Sequence, residues 1–170
     1  MVILRPTQKL RGALPLTETV YGESDTALGD WYVNRIVVDR RPLLLLVSSN
    51  GLLPLLVPAR DVRSLPLRLP TLVASALQRL GVAPQLIAAE VAAMSPVVIA
   101  PTRDRSVLGV LVDTAKSVPF FLEAGRWDDT TLPFVEAKLV QTPWHVARRS
   151  SDVVFPYKAA PRLLIDRWEA

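Results

Sequence analysis

Residues 30–58 read DWYVNRIVVDRRPLLLLVSSNGLLPLLVP, and the reading of this stretch decides the fold. Three apolar runs lie close together here, split by Arg40-Arg41-Pro42 and by Ser48-Ser49-Asn50-Gly51. The first run, 30–39, is rich in β-branched and aromatic residues, which suit a pleated, half-buried surface. Side chains alternate along a strand, so Trp31, Val33, Arg35 and Val37 share one face, and Tyr32, Asn34, Ile36 and Val38 the other. Neither face is wholly polar, which predicts an interior strand covered on both sides. Arg40-Arg41-Pro42 makes a tight charged turn, and 43–47 is an unbroken apolar run of the kind buried on both faces. Asn50-Gly51 predicts a type I′ hairpin, a turn that needs two residues tolerant of positive φ. The returning strand is 52–57, and Pro54, which lacks a ladder donor, places it at an edge or a bulge.

Outward from this meander, 2–4 reads as a strand that joins it. Thr7 caps a turn over 8–11, and 16–29 is a polar loop. Pro66 and Pro70 restrict 61–69 to a single helical turn, followed by a helix over 71–80 that Gly81 ends. Pro84 opens a second helix reaching Ala93, and 97–100 reads as a further strand. Asp104 caps a helix beginning at Arg105, with Leu108, Leu111, Val112 and Ala115 as its apolar stripe. Gly109 inside that helix costs about 1 kcal/mol against alanine, which points to close packing on the sheet or to a ligand. A helix over 128–141 carries Pro133 in its first turn and is capped by Asp128-Asp129. From Thr142 onward the chain is interrupted by proline and reads as a wrapping tail. The expectation is a single α+β domain over 1–170, with a core over 1–125 and a C-terminal helix and tail over 126–170. Its mostly antiparallel sheet holds about five strands, with helices flanking the central meander 31–57.

Composition narrows the chemistry. A chain of 170 residues builds a core large enough to fold unaided. Cysteine is absent, which excludes disulfides, thiolate catalysis and thiolate metal sites. The N-terminal Met-Val-Ile-Leu-Arg-Pro builds no signal-peptide core, and no apolar run approaches the roughly 20 residues of a membrane span. The expectation is a soluble cytoplasmic protein. A net charge of +4 is dispersed, with pairs at Arg40-Arg41 and Arg148-Arg149 rather than a run, so a solvated basic surface competes with nucleic-acid binding. The sole histidine, His145, sits beside Trp144 and has no partner set for catalysis. No phosphate loop, dinucleotide fingerprint or nucleophile elbow is present, and no metal or cofactor is expected.

Polar groups set among apolar runs are the candidates for function. Asn34 interrupts a strand, and a hydrogen bond to a neighbouring loop would account for it without any ligand. Arg105 and Ser106 stand in the first turn of their helix, where exposed N–H groups can hold an anion, although plain capping explains them equally. Asp113 and Lys116 are spaced to pair with each other. Lys9 follows the first strand and can approach the same end of the sheet.

The stretches Thr7-Gln8-Lys9-Leu10, Asp30-Trp31-Tyr32-Val33-Asn34 and Arg105-Ser106-Val107-Leu108-Gly109 together resemble a bacterial family of uncharacterised proteins. Its members carry T-K-K-L, W-Y-A-N and R-S-V-L-G-x-x-N-D motifs, and a similar domain stands at the front of some plasmid ORF-3-like proteins. The resemblance implies a bacterial origin and a shared fold, and brings no activity, cofactor or catalytic residue. Pro6 replaces the family's cysteine, Val33 its alanine and Val112 its asparagine.

The leading expectation is a non-enzymatic binding or interaction module for a protein partner or a small anionic ligand. It uses Lys9, Asn34, Arg105, Ser106 and Asp113, in a plasmid, defence or toxin–antitoxin setting that the resemblance suggests. One alternative is a nucleic-acid-binding protein using Arg40, Arg41, Arg148 and Arg149. Another is a hydrolase or transferase of phosphate substrates with Asp113 as base and Arg105 as charge stabiliser. The sequence leaves the oligomeric state open.

Overall fold

A computed structural model describes residues 1–145 and 153–169. The strands are β1 (Val2–Pro6), β2 (Trp31–Val38), β3 (Arg41–Ser48), β4 (Pro54–Pro58) and β5 (Val97–Ile99). They form one sheet in the order β4-β3-β2-β1-β5. The meander β2-β3-β4 is antiparallel, whereas β1 lies parallel to both β2 and β5. The helices are α1 (Leu65–Arg79), α2 (Pro84–Ala93), α3 (Arg105–Ser117), α4 (Leu132–Leu139) and α5 (Pro156–Trp168). A small ribbon pairs β6 (Trp144–His145) with β7 (Val153–Val154).

Period-2 alternation sorts the sheet's side chains into two cores. Trp31, Val33, Leu44, Leu46 and Leu55 face α1, α2 and α5, while Tyr32, Leu43, Leu45, Val47 and Leu56 face α3 and α4. The chain is a single α+β domain with helices on both faces of a mixed, mostly antiparallel sheet. The first half of β2 is buried on both faces, as its sequence predicts. Its second half is not, because Arg35 and Val37 are exposed.

Several elements differ from the sequence reading, each for a physical reason. The type I′ geometry sits at Asp39 and Arg40 (φ 51° and 65°), not at Asn50-Gly51. Asp39 tolerates the left-handed region with its carboxylate held by the Trp127 indole N–H at 2.5 Å and the Gly125 N–H at 3.3 Å. The Asn50 loop is instead pulled open by the neighbouring segment: Ser49 N–H donates to Asp30 O and Asn50 N–H to Leu28 O. Positive φ then falls on Gly51 and Leu52.

Pro66 and Pro70 do not break α1. Pro66 lies in its first turn, where no N–H is needed, and Pro70 forfeits one bond inside the helix at a cost of about 3 kcal/mol. Leu65, Leu69, Val73 and Leu77 are fully buried, and each contributes about 1.5–3 kcal/mol, which outweighs that loss. Similarly, the expected tail ends in helix α5, whose Ala160 and Leu164 enter the core despite Pro161. On α3 the buried stripe is Val107, Val110, Leu111 and Thr114, one position round from the expected set. Thr114 concealed it.

Buried carboxylates fasten the layers. Glu136 accepts the Leu56 N–H at 3.0 Å and the Arg79 guanidinium at 2.7 Å. Glu90, fully buried on α2, accepts the Ala27 N–H at 2.7 Å. Burial pushes the Glu90 carboxyl up to about 7, against the pull of the Ala27 N–H that it accepts and of Arg167. The expected segment over 16–29 is thereby held down, and Gly29 (φ +72°) lies so close to the Asn50 loop that a Cβ would stand 2.3 Å from Ser49 Oγ. Gly109, by contrast, is exposed with open space where its Cβ would be, so close packing on the sheet does not account for it.

These two glycines predict opposite outcomes in urea unfolding with an unchanged slope. Gly29→Ala lowers stability by about 2 kcal/mol or more, and Gly109→Ala raises it by about 1 kcal/mol. Glu90 sets a pH dependence. Its folded pKa is raised from 4.5 to about 7, so its contribution is complete below 4.5 and is lost as pH climbs to about 7. Glu90→Gln is expected to remove up to about 3 kcal/mol of the stability difference between pH 4.5 and pH 8, read from urea midpoints.

Candidate functional site

β1 and β2 run side by side only as far as Pro6 and Val33. Beyond that point β1 turns away through a 3-10 turn, Gln8–Leu10, while β2 continues to Val38 paired with β3 alone. Leu10 is buried in the core, which leaves Lys9 exposed at the rim. Thr7 does not cap this turn. Its hydroxyl donates instead to Asn34 Oδ1 at 2.7 Å, and the same oxygen accepts the Arg35 N–H at 2.9 Å. The acceptor side of the Asn34 amide is therefore engaged, while its Nδ2 meets no protein acceptor among the described residues.

Across this step lies the second half of α3. Lys9, Asn34, Arg35, Ile36, Val37, Val112, Ala115 and Lys116 together line an open groove of about 520 Å³. None of Lys9, Arg35 and Lys116 belongs to an ion pair among the described residues. The lining contains no carboxylate. The groove follows the edge of β2, with Asn34, Ile36, Val112 and Lys116 on the α3 side and the side chains of Arg35 and Val37 on the opposite face of the strand. Val112 is the position where the family resemblance expects asparagine.

Of the five residues singled out from sequence, the groove brings Lys9 and Asn34 together. Ser106 lies elsewhere, in a hollow of about 300 Å³ with Ser49, Asn50 and Asp104. Arg105 and Asp113 are exposed and line neither hollow. Eight residues separate them on α3, about 12 Å along the axis, so they do not converge on one reacting atom. Asp113 and Lys116 form no ion pair among the described residues, which leaves Lys116 free to serve the groove. The groove also includes Arg35 and Lys116, which the sequence reading did not single out. Arg35 follows Asn34 directly, and Lys116 lies four residues after Val112 on the same helical face.

The other polar hollow is self-satisfied. Arg5 and Asp30 are buried together, with Nε 2.5 Å from Oδ2. Arg5 also donates to Pro101 O, Ser24 to the second Asp30 oxygen, and the Asp30 N–H to Ser49 Oγ. Asp104 is likewise spent, accepting from Ser106 and Val107 N–H as the α3 cap. Such a network fixes a fold and leaves little for a ligand.

The arginines of the nucleic-acid alternative separate in the same way. Arg41 stacks 4.5 Å from the Trp127 ring, donates to Trp127 O and pairs with Asp129, which also holds Arg60 at 2.6 Å. Arg40 is exposed at its turn. Arg148 and Arg149 lie outside the described residues. His145 is exposed on the small ribbon, no metal-holding group of His, Cys, Asp or Glu occurs among the described residues, and no described helix is long and apolar enough to cross a membrane.

Residues 3–159 match the family described as a domain of unknown function, DUF6933, and the chain belongs to that family. Among curated proteins and among solved structures nothing matches it.

Proposed function

We propose that this DUF6933 domain is a binding module that holds anionic groups in the groove formed by Lys9, Asn34, Arg35 and Lys116. One observation carries the reading: three cations without an ion pair among the described residues and a free amide face border one groove at the edge of β2, Lys116 on its α3 side and Arg35 on the other, where the lining has no acid to neutralise them. Buried or half-buried charges elsewhere are paired, as at Arg5–Asp30 and Arg79–Glu136. Each exposed contact contributes only about 0.2–1 kcal/mol, which favours a polyanionic ligand over a single small anion.

Binding rather than catalysis is supported by what lines the groove. It offers no carboxylate, imidazole or hydroxyl to accept a proton or attack a substrate. The carboxyls raised by burial, Glu90 and Glu136, are bonded to backbone N–H groups and lie outside it. Nucleic acid is a weaker reading, because Arg41 is committed to Trp127 and Asp129. A bacterial origin and a plasmid, defence or toxin–antitoxin setting are the context suggested by the family resemblance, and a cytoplasmic location is the one suggested by composition.

Calorimetric titration with capped hexaglutamate at low salt tests the reading. The double variant Lys9→Glu, Lys116→Glu is expected to weaken binding at least tenfold, whereas Arg40→Glu leaves it within about twofold. Wild-type binding is expected to weaken steeply as salt rises from about 20 to 200 mM. Equal losses in both variants, or none in the double variant, would remove the groove as the site.

A further inference from the structure

We infer that the groove takes an acidic peptide in extended form, added as a strand to the open edge of β2. This rests on the groove reading above and names its ligand.

The edge follows from the hydrogen-bond parity of β2. The turn at Asp39 and Arg40 closes on the pair Val38 and Arg41, so the backbone groups of Val38, Ile36 and Asn34 point to β3. Those of Val33, Arg35 and Val37 point the other way. Val33 O accordingly accepts the Thr7 N–H at 3.0 Å, and pairing with β1 ends there. The Arg35 N–H is occupied by Asn34 Oδ1. The Arg35 carbonyl and both backbone groups of Val37 have no strand or loop partner among the described residues.

The sheet's outer edges are blocked along β4 and at Ile99 of β5, while Val97 of β5 also faces outward without a backbone partner among the described residues. On β4 the outward positions are Pro54, Leu56 and Pro58, because the Ala59 N–H bonds inward to Pro42 O and parity alternates. Both prolines lack a donor, and the Leu56 N–H is taken by Glu136. On β5, Ile99 exchanges bonds with Thr17: its N–H reaches Thr17 Oγ1 and its carbonyl accepts the Thr17 N–H. Natural sheets block their edges in such ways. The second half of β2 is blocked only at the Arg35 N–H, which leaves the Arg35 carbonyl and Val37 open.

The groove's chemistry fits a strand of one sign. Lys9, Arg35 and Lys116 surround the edge, and exposed Val37 (56%) and Val112 (47%) supply apolar contact. A strand laid about 4.8 Å from β2 presents alternate side chains to the two faces. Acidic residues on the α3 side can then meet Lys116, and those on the other side Arg35, while the backbone bonds to the Arg35 carbonyl and to Val37. Main-chain bonds provide affinity in such strand addition, and side chains provide selectivity.

The probe is a capped Glu-Val-Glu-Val-Glu-Val peptide, compared with forms N-methylated at alternate backbone nitrogens in each register. The parent peptide is expected to bind about tenfold more tightly than the N-methylated form of the bonding register. On binding, the Val37 amide should gain hydrogen-exchange protection. Val37→Pro removes only an outward donor and is expected to lower affinity by a similar factor without changing the urea midpoint by much. Equal affinity for parent and N-methylated peptides would overturn strand addition yet leave the groove reading intact. Failure of both this peptide and hexaglutamate would remove both. A chain that sediments as a dimer and ignores the peptide would show that a second copy occupies the edge, which also overturns the proposal.

Discussion

A buried backbone group without a partner costs more than most side-chain contacts return, so a sheet between two helical layers must account for every donor and acceptor along its length. That constraint shapes this molecule. Five strands leave two outer edges and, because β1 stops at Pro6 while β2 runs on, an internal step. Prolines and Glu136 answer the demand along β4, and Thr17 answers it at Ile99 of β5. At the step the demand is met only in part, by the Thr7 N–H and the Asn34 side chain. The incomplete answer is what gives the groove its backbone surface.

The buried polar residues belong to the same economy of hydrogen bonds. Asp30, Glu90 and Glu136 each bind a backbone N–H or a buried arginine across elements distant in sequence. Their charges are tolerated because they are partnered, and for Glu90 the partnership is incomplete. Its second oxygen has no hydrogen-bond partner and burial dominates, so the proton is held to near-neutral pH. Removal of these acids to the interior leaves an outer surface on which basic groups go unanswered. The groove beside α3 is bordered by three of them.

Parts of the site were legible in the chain. Asn34 stood out because an amide in an apolar strand requires a partner, and it has found Thr7. Lys9 stood out by following the first strand. Arg35 and Lys116 carried no local signal, since an exposed arginine on a strand and a lysine on a helix each look like solvated charge. Ser106, Arg105 and Asp113 share a helix with Lys116, but the helix turns them to other surroundings. Only the phase at which α3 meets the sheet distinguishes them, and Thr114 on the buried stripe disguised that phase.

The sequence by itself determined the antiparallel meander, the helix starting after Asp104 and the edge position of β4. Alternation, capping and proline chemistry are local properties, readable within a few residues. Tertiary structure decided the rest: the turn that adopts type I′ geometry, the survival of α1 and α5 through their prolines, and the length by which β2 outruns β1. Each of these depends on energy from contacts between distant segments, such as Asp39 with Trp127 or Leu69 within the core, which outweighs the local preference. No window of sequence contains both partners of such a contact, so no local rule could have placed the groove.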